Sequence, residues 1–425
     1  MDPDTIKKIT DTLLKKANAL VMGGFLNEAI ATYDLIITSK FNGVEDALAS
    51  KAYLLFSRLN RLEEALALYR SAIALNPCHL ASINGLAVIY RYLSDYKKAE
   101  TLLDISLAID PGNNVAALNK GTILLSANAE GGWRYYLDAI SSTRKVPQAL
   151  RHIPPLESIS GVFRSRLVVY NEERIENAII MFPYVCLMHA RFGCNVRFII
   201  NHQLLFLFHN LPSDIYVISF NSVESSFYHD SPEFRCGVLD LPMMFPEEPY
   251  LDSVYRRSVY DSYFVTQRYH RPFVKTIGVH WDPSASRYSS KIDAITIEDL
   301  YPLFLLDRNI RILTSNGSIA ELNEIINRYS VEIIQYSCIS DMELQLRECD
   351  MIVSGDDLVS NLAGLLRVPG IVLLPTVSHY SWLVGTLAPS YYPSLRVIRK
   401  APKQNWRDVI VDACAMVLCE ESPSS

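Results

Sequence analysis

The sequence predicts an α + α/β chain, with a helical array in its first third and two lobes of parallel sheet behind it. Three observations predict this. A 34-residue spacing recurs near the N-terminus, the hydrophobic period changes from about Leu167, and beyond that point short β-rich runs alternate with helical stretches.

The array comes first. LEEALALYRSAIALNP (Leu62 to Pro77) and YKKAETLLDISLAIDP (Tyr96 to Pro111) set Ala65 against Ala99 and Pro77 against Pro111, 34 residues apart in each case. A small residue here lets two antiparallel helices approach, an apolar stripe follows at helical spacing, and proline stops the second helix. This is the tetratricopeptide spacing. FLNEAIATYD carries an earlier copy, with Ala29 and Tyr33 at the positions of Ala65 and Tyr69, and a partial fourth starts at Asn114 and fades at Gly131-Gly132-Trp133. The expected array covers 1–130, about three repeats and a part, near the minimum that buries a continuous core. Counting from the alanines puts Asn18, Arg58, Asn84, Arg91 and Tyr92 on the concave face. That face reads as a groove for a protein or peptide partner, or else as a solvated or dimerising surface.

A connector, 131–165, leads to the lobes. In the first, 166–272 with its linker, LVVY (167–170), VRFII (196–200) and DIYVISF (214–220) alternate with helical stretches. In the second, 273–419, KTIGVHW (275–281), IRILTS (to Ser315), EIIQY (332–336), DMIVS (350–354) and IVLLP (371–375) do the same. Alternation of this kind implies right-handed crossovers and parallel sheets covered on both faces, hence two Rossmann-like lobes. Ligands of such sheets lie beyond the carboxyl ends of the strands, so a cleft between the lobes is the expected site. Leu251 to Phe273 would link the lobes, Trp406 to Cys419 would pack back across them, and 420–425 would fray.

Bulk properties narrow the function classes. Hydrophobic residues make up 49% and charged residues 20%, which is globular composition. A net charge of -6 argues against a general nucleic-acid binder, which needs a basic surface. The start MDPDTIKKIT lacks a basic n-region and an apolar h-region, and no apolar run is long enough to span a bilayer, so a cytoplasmic location is expected. The eight cysteines form no CxxC pair and the nine histidines no HExxH. Buried free thiols are expected, with no metal site and no bound cofactor.

The segment DMIVSGDDLVSNLAGLLRVPGIVLLP, followed by SWLVGTLAPSYYPSLRVIRK and Trp406, resembles the heptosyltransferase-like glycosyltransferases of GT-B fold found behind tetratricopeptide arrays in bacteria. Weaker echoes are GGWRYY, LDLPMMF with PYL, and IGVHW. The resemblance implies a GT-B-like pair of lobes and a nucleotide sugar as donor substrate. That chemistry requires a base for the acceptor, N–H-rich or cationic groups for the leaving diphosphate, and a nucleotide pocket. Where the family has a Gly-rich turn ending in an Asp base, this chain has Arg174, Glu176 and Asn177, and an amide is no general base at neutral pH. Glu172 and Glu173 are the candidate replacements. The family's Ser-Gly becomes Asp282-Pro283, its Arg-Ser becomes Asp293-Ala294, and its donor-helix Thr and His become Asp357 and Asn361, with Asp356 retained.

Several residues carry two readings. Asp356 is either a helix cap or a ribose or base contact. Lys275 is either a phosphate cation or a solvated lysine, and His280 either a base or a satisfied core residue. Arg174, with Arg164 and Arg166, either binds phosphate or is solvated. Two functions follow: a partner-binding scaffold that has lost the donor chemistry, or an active transferase that modifies a protein held by the repeats.

Overall fold

A computed structural model describes residues 3–39, 43–172, 174–208, 210–223, 232–245, 253–264, 274–281, 294–315, 319–384 and 392–419. The chain divides into two compact units, one reaching Ile123 and one that begins at Leu124 and holds both sheets.

In the first unit, α1 (Pro3–Met22), α2 (Leu26–Thr38), α3 (Val44–Leu59), α4 (Leu62–Leu75), α5 (Leu80–Tyr92) and α6 (Tyr96–Ile109) follow one another through short turns, and α7 (Asn114–Ser126) continues the series. Short connections make neighbours antiparallel. The repeat alanines Ala29, Ala65 and Ala99 are fully buried where paired helices meet. Gly85 has the same purpose between α4 and α5, since a Cβ there would lie 2.3 Å from the Tyr69 ring. Pro77 and Pro111 fall just past the ends of α4 and α6, as a residue that cannot continue a helix must.

The second unit opens with α8 (Gly132–Ile140), whose Trp133 meets Tyr380 edge-on at 5.4 Å. Four strands follow, β1 (Arg166–Tyr170), β2 (Asn195–Ile200), β3 (Ile215–Ser219) and β4 (Phe234–Gly237), in the order β3-β2-β1-β4. Between β1 and β2 runs α9 (Asn177–Phe192), apolar nearly all round and buried accordingly. The second sheet comprises β5 (Thr276–His280), β6 (Asn309–Ser315), β7 (Val331–Tyr336), β8 (Met351–Ser354), β9 (Gly370–Leu374) and β10 (Leu395–Arg399), in the order β10-β9-β8-β5-β6-β7. Every pairing in both sheets is parallel. Central strands such as β1, β8 and β9 are apolar runs because both faces are covered.

The sheets are tied together. Tyr260, on the helix Ser253–Tyr263, stacks on Tyr392 at 5.6 Å and donates to the Ile179 carbonyl at 3.3 Å. The closing helix Trp406–Cys419 buries Trp406, Val409, Ile410 and Val417 in the core of the six-stranded sheet. Its apolar stripe therefore covers that sheet, a narrower role than packing across both lobes.

Candidate functional site

The carboxyl ends of β1, β5, β8 and β9 carry most of the chemistry-bearing side chains. At the end of β1, Glu172 is clamped. Both its oxygens accept from Arg144, at 2.5 Å each, while the same guanidinium reaches Asp240 at 2.5 and 2.6 Å. The Glu172 side chain is 1% exposed. Burial opposes the Arg144 charge, but hydrogen bonds to Asp240 and Glu172 outweigh it and hold the guanidinium protonated above its ordinary range. Gly237 makes room for the clamp, since a Cβ there would fall 1.7 Å from Glu172 Oε1. A general base needs a lone pair open to the acceptor, and both Glu172 oxygens are instead engaged by Arg144 in a buried ion pair, which speaks against Glu172 as the replacement base. Glu173 lies outside the described residues, as do Asp282, Pro283 and Asp293.

The turn before α9 follows. Asn171 Nδ2 donates to the Arg174 carbonyl at 2.9 Å, and the Arg174 guanidinium pairs with Glu176 at 3.0 Å. Glu176 is thus neutralised within its own turn. Asn177 begins α9 at 2% exposure, and its Oδ1 has no hydrogen-bond partner among the described residues. The amide at the base position is enclosed.

In the second lobe the two adjacent aspartates divide their tasks. Asp357 caps the helix Leu358–Leu365, accepting from Ser360 N–H at 3.1 Å, and its other oxygen lies 2.7 Å from His280 Nδ1. His280 Nε2 in turn lies 2.9 Å from the Tyr336 hydroxyl. Asp356 does not cap. It accepts from Trp382 Nε1–H and from the His379 backbone N–H, at 2.7 Å each. Burial raises its pKa, against the His379 hydrogen bond and the charge of Arg174. His379 is pushed down to about 3 by burial and then by Arg174, so it is neutral at physiological pH. Its Nδ1 accepts from Ser381 N–H at 3.4 Å and lies 2.8 Å from Ser381 Oγ. Arg399 fixes this segment, donating to Ser378 Oγ at 2.6 Å and to the Trp382 and Leu383 carbonyls at 3.1 and 3.2 Å.

Asn361, where the resemblance implies histidine, is structural. Its Nδ2 donates to the Asp357 carbonyl at 2.9 Å, and Tyr392 donates to its Oδ1 at 3.3 Å. Lys275 stands at the wrong end of the sheet. It is exposed and precedes β5, beside a cavity of about 600 Å³ lined also by Phe304, Arg308 and Asn309, whereas His280 marks the ligand end of that strand. Five residues of strand span about 16 Å, too far for Lys275 to serve the cleft.

On the array, Asn18 is exposed and accepts from the Tyr33 hydroxyl at 2.6 Å, and Arg58 is exposed. Arg91 donates to Asn119 Oδ1 at 3.3 Å. Asn84 and Tyr92 depart from expectation: they are 7% and 3% exposed, Asn84 bonded to Asn113 at 3.3 Å and Tyr92 edge-on to Phe56 at 5.4 Å. Neighbouring repeats cover them, so they pack the array rather than line an open groove. Among the described residues no group of three or more His, Cys, Asp or Glu has metal-binding geometry, and no helix is long and apolar enough to cross a membrane.

No family model and no curated protein matches the chain. Among solved structures, it is similar to a mutant O-GlcNAc transferase of Thermobaculum terrenum, at 12% identity over 99% of this chain and 92% of that one, with a TM-score of 0.34. It is similar to a family 9 glycosyl transferase of Veillonella parvula at 8% identity over 61% of this chain and 98% of that one, TM-score 0.42. It is also similar to the protein MamA, at 19% identity over 33% of this chain and 86% of that one, with a TM-score of 0.28.

Proposed function

We propose that this chain is a helical partner-binding arm joined to a glycosyltransferase-like pair of lobes that no longer performs nucleotide-sugar transfer, and that it works by holding a protein or peptide. One observation carries the reading. The amino end of the helix Leu358–Leu365, where free N–H groups would otherwise receive a diphosphate, is filled by the carboxylate of Asp357. His280 holds that carboxylate in place from the other side.

The surrounding groups support it. Asp356 adds a second carboxyl, Arg174 and Arg399 are engaged with Glu176 and with the 378–383 segment, and Asn177 and Glu172 offer no base. Placing a diphosphate against an oriented carboxylate costs on the order of a few kcal/mol in a partly desolvated cleft. Isothermal calorimetry with UDP, GDP, ADP and their hexose conjugates is therefore expected to give no affinity tighter than about 1 mM, which is about −4 kcal/mol. Micromolar binding of a nucleotide sugar, with transfer of a hexose to a captured protein, would overturn the proposal in favour of an active transferase.

A further inference from the structure

We infer that Tyr336 is a nucleophile prepared for acylation, with His280 as its base and Asp357 as the group that orients the base. The three come from separate elements at one edge of the six-stranded sheet: Tyr336 ends β7, His280 ends β5, and Asp357 precedes the helix after β8. This is the carboxyl edge, where parallel sheets present reacting groups.

An ionised carboxylate only accepts hydrogen bonds, so the 2.7 Å contact to Asp357 Oδ2 places a proton on His280 Nδ1. Nε2 is then the acceptor, and across 2.9 Å the Tyr336 hydroxyl donates to it. Nucleophile, base and orienter in hydrogen-bond series are the means by which a weak oxygen nucleophile is activated. The His280 and Asp357 side chains are 4% and 13% exposed, which shields the base from water, while Tyr336 is only half-buried and can be approached.

The carboxyl groups of Asp356 and Asp357 beside the site disfavour an anionic electrophile, so the substrate class is an uncharged activated ester, whose leaving group departs at least as readily as a tyrosine phenolate. The Tyr336 oxygen bonds to the carbonyl carbon as its proton passes to His280 Nε2. The bond from that carbon to the aryloxy oxygen then breaks, and the imidazolium returns the proton to the departing phenol. An aryl ester on Tyr336 and a neutral His280 remain. This chemistry is separate from nucleotide binding and holds whichever way the calorimetry falls.

The test uses the full chain with p-nitrophenyl acetate, following p-nitrophenolate release and mapping acetylated peptides by mass spectrometry before and after hydroxylamine, which cleaves phenyl esters and spares lysine amides. The expected result is a hydroxylamine-sensitive acetyl group on Tyr336. It should form about 100-fold faster than in His280→Gln, the lower end of what a positioned base contributes. Tyr336→Phe, which keeps the ring and removes one oxygen, should lose that label. Tyr53, 61% exposed, serves as an internal reference should His280→Gln fail to fold. Labelling of Tyr336 at least tenfold ahead of Tyr53 supports the inference. Equal labelling of the two tyrosines, an unchanged rate in folded His280→Gln, or label confined to hydroxylamine-resistant sites would overturn it.

Discussion

Replacing Arg144 with alanine removes both guanidinium hydrogen bonds from Glu172, a carboxylate whose side chain is 1% exposed. Removing one member of a buried ion pair costs about 3–5 kcal/mol, because the remaining charge stays desolvated. Asp240, 29% exposed, regains water and adds little. At about 2 °C per kcal/mol for a unit of this size, the transition of the sheet-bearing unit should fall by about 6–10 °C. Tryptophan fluorescence during heating and urea unfolding reads that transition, since Trp133, Trp281, Trp382 and Trp406 all lie in the sheet-bearing unit. Arg144→Ala combined with Glu172→Gln should recover more than half of the loss, because the buried charge is gone. Gly237→Ala should mimic the single mutant by driving Glu172 off its partner. A loss below about 1 kcal/mol, with no recovery in the double mutant, would refute the clamp and return Glu172 to the list of possible bases.

Four other outcomes are expected. His379 has its pKa pushed down to about 3 from 6.5, so it is a proton acceptor only when unfolded; stability should fall as pH drops below about 6.5 toward 3, and His379→Asn should flatten that slope in pH-resolved melts. Asp356 has the opposite sign: its raised pKa makes stability fall as pH rises above 3.8, so Asp356→Asn should flatten that slope, while costing stability at every pH because one of the two N–H donors, of Trp382 or His379, loses its acceptor. Gly85→Ala should cost about 1–3 kcal/mol through its clash with Tyr69, despite the better helix propensity of alanine, and an unchanged melting temperature would contradict the close approach of α4 and α5. Asn18→Ala with Arg58→Ala, both at exposed positions, should reduce recovery of protein partners from a lysate while shifting stability by about 0.5 kcal/mol or less; identical recovery would remove this face from consideration.

The sheets were legible because apolar runs bounded by turn residues announce buried parallel strands. β4 was missed: Phe234–Gly237 is four residues long and carries Arg235, too short and too polar to stand out. β10 entered only through the resemblance of SLRVIRK, since its Arg396 and Arg399 break the apolar run. Within the site, position along the chain located Asp356 and Asp357 but not their tasks, because the indole partner of Asp356 is Trp382, 26 residues away. Arg144 with Asp240, 96 residues apart, and His280 with Tyr336, 56 apart, leave no local trace at all. Asn84 and Tyr92 were misplaced for a related reason. A helix position counted from its own repeat says which way a side chain leaves the axis, but the adjacent repeat decides whether water reaches it.

The order of the six-stranded sheet has a consequence for synthesis. α1 to α6 pack on sequence neighbours and can close as they leave the ribosome, each pair completing the last. β5 is different. Its partners are β6 and β8, and Asp350 accepts from the backbone N–H groups of Lys275 and Thr276 at 3.0 and 2.9 Å, so one side of the strand stays open until residues near 353 have been made. During that interval Ile277 and Val279 present an unpaired apolar edge, the kind of surface on which nascent chains associate. A finished helical array at the front of the chain thus emerges well before the segment that most needs shielding, and the time between the two is set by translation rate rather than by the stability of either unit.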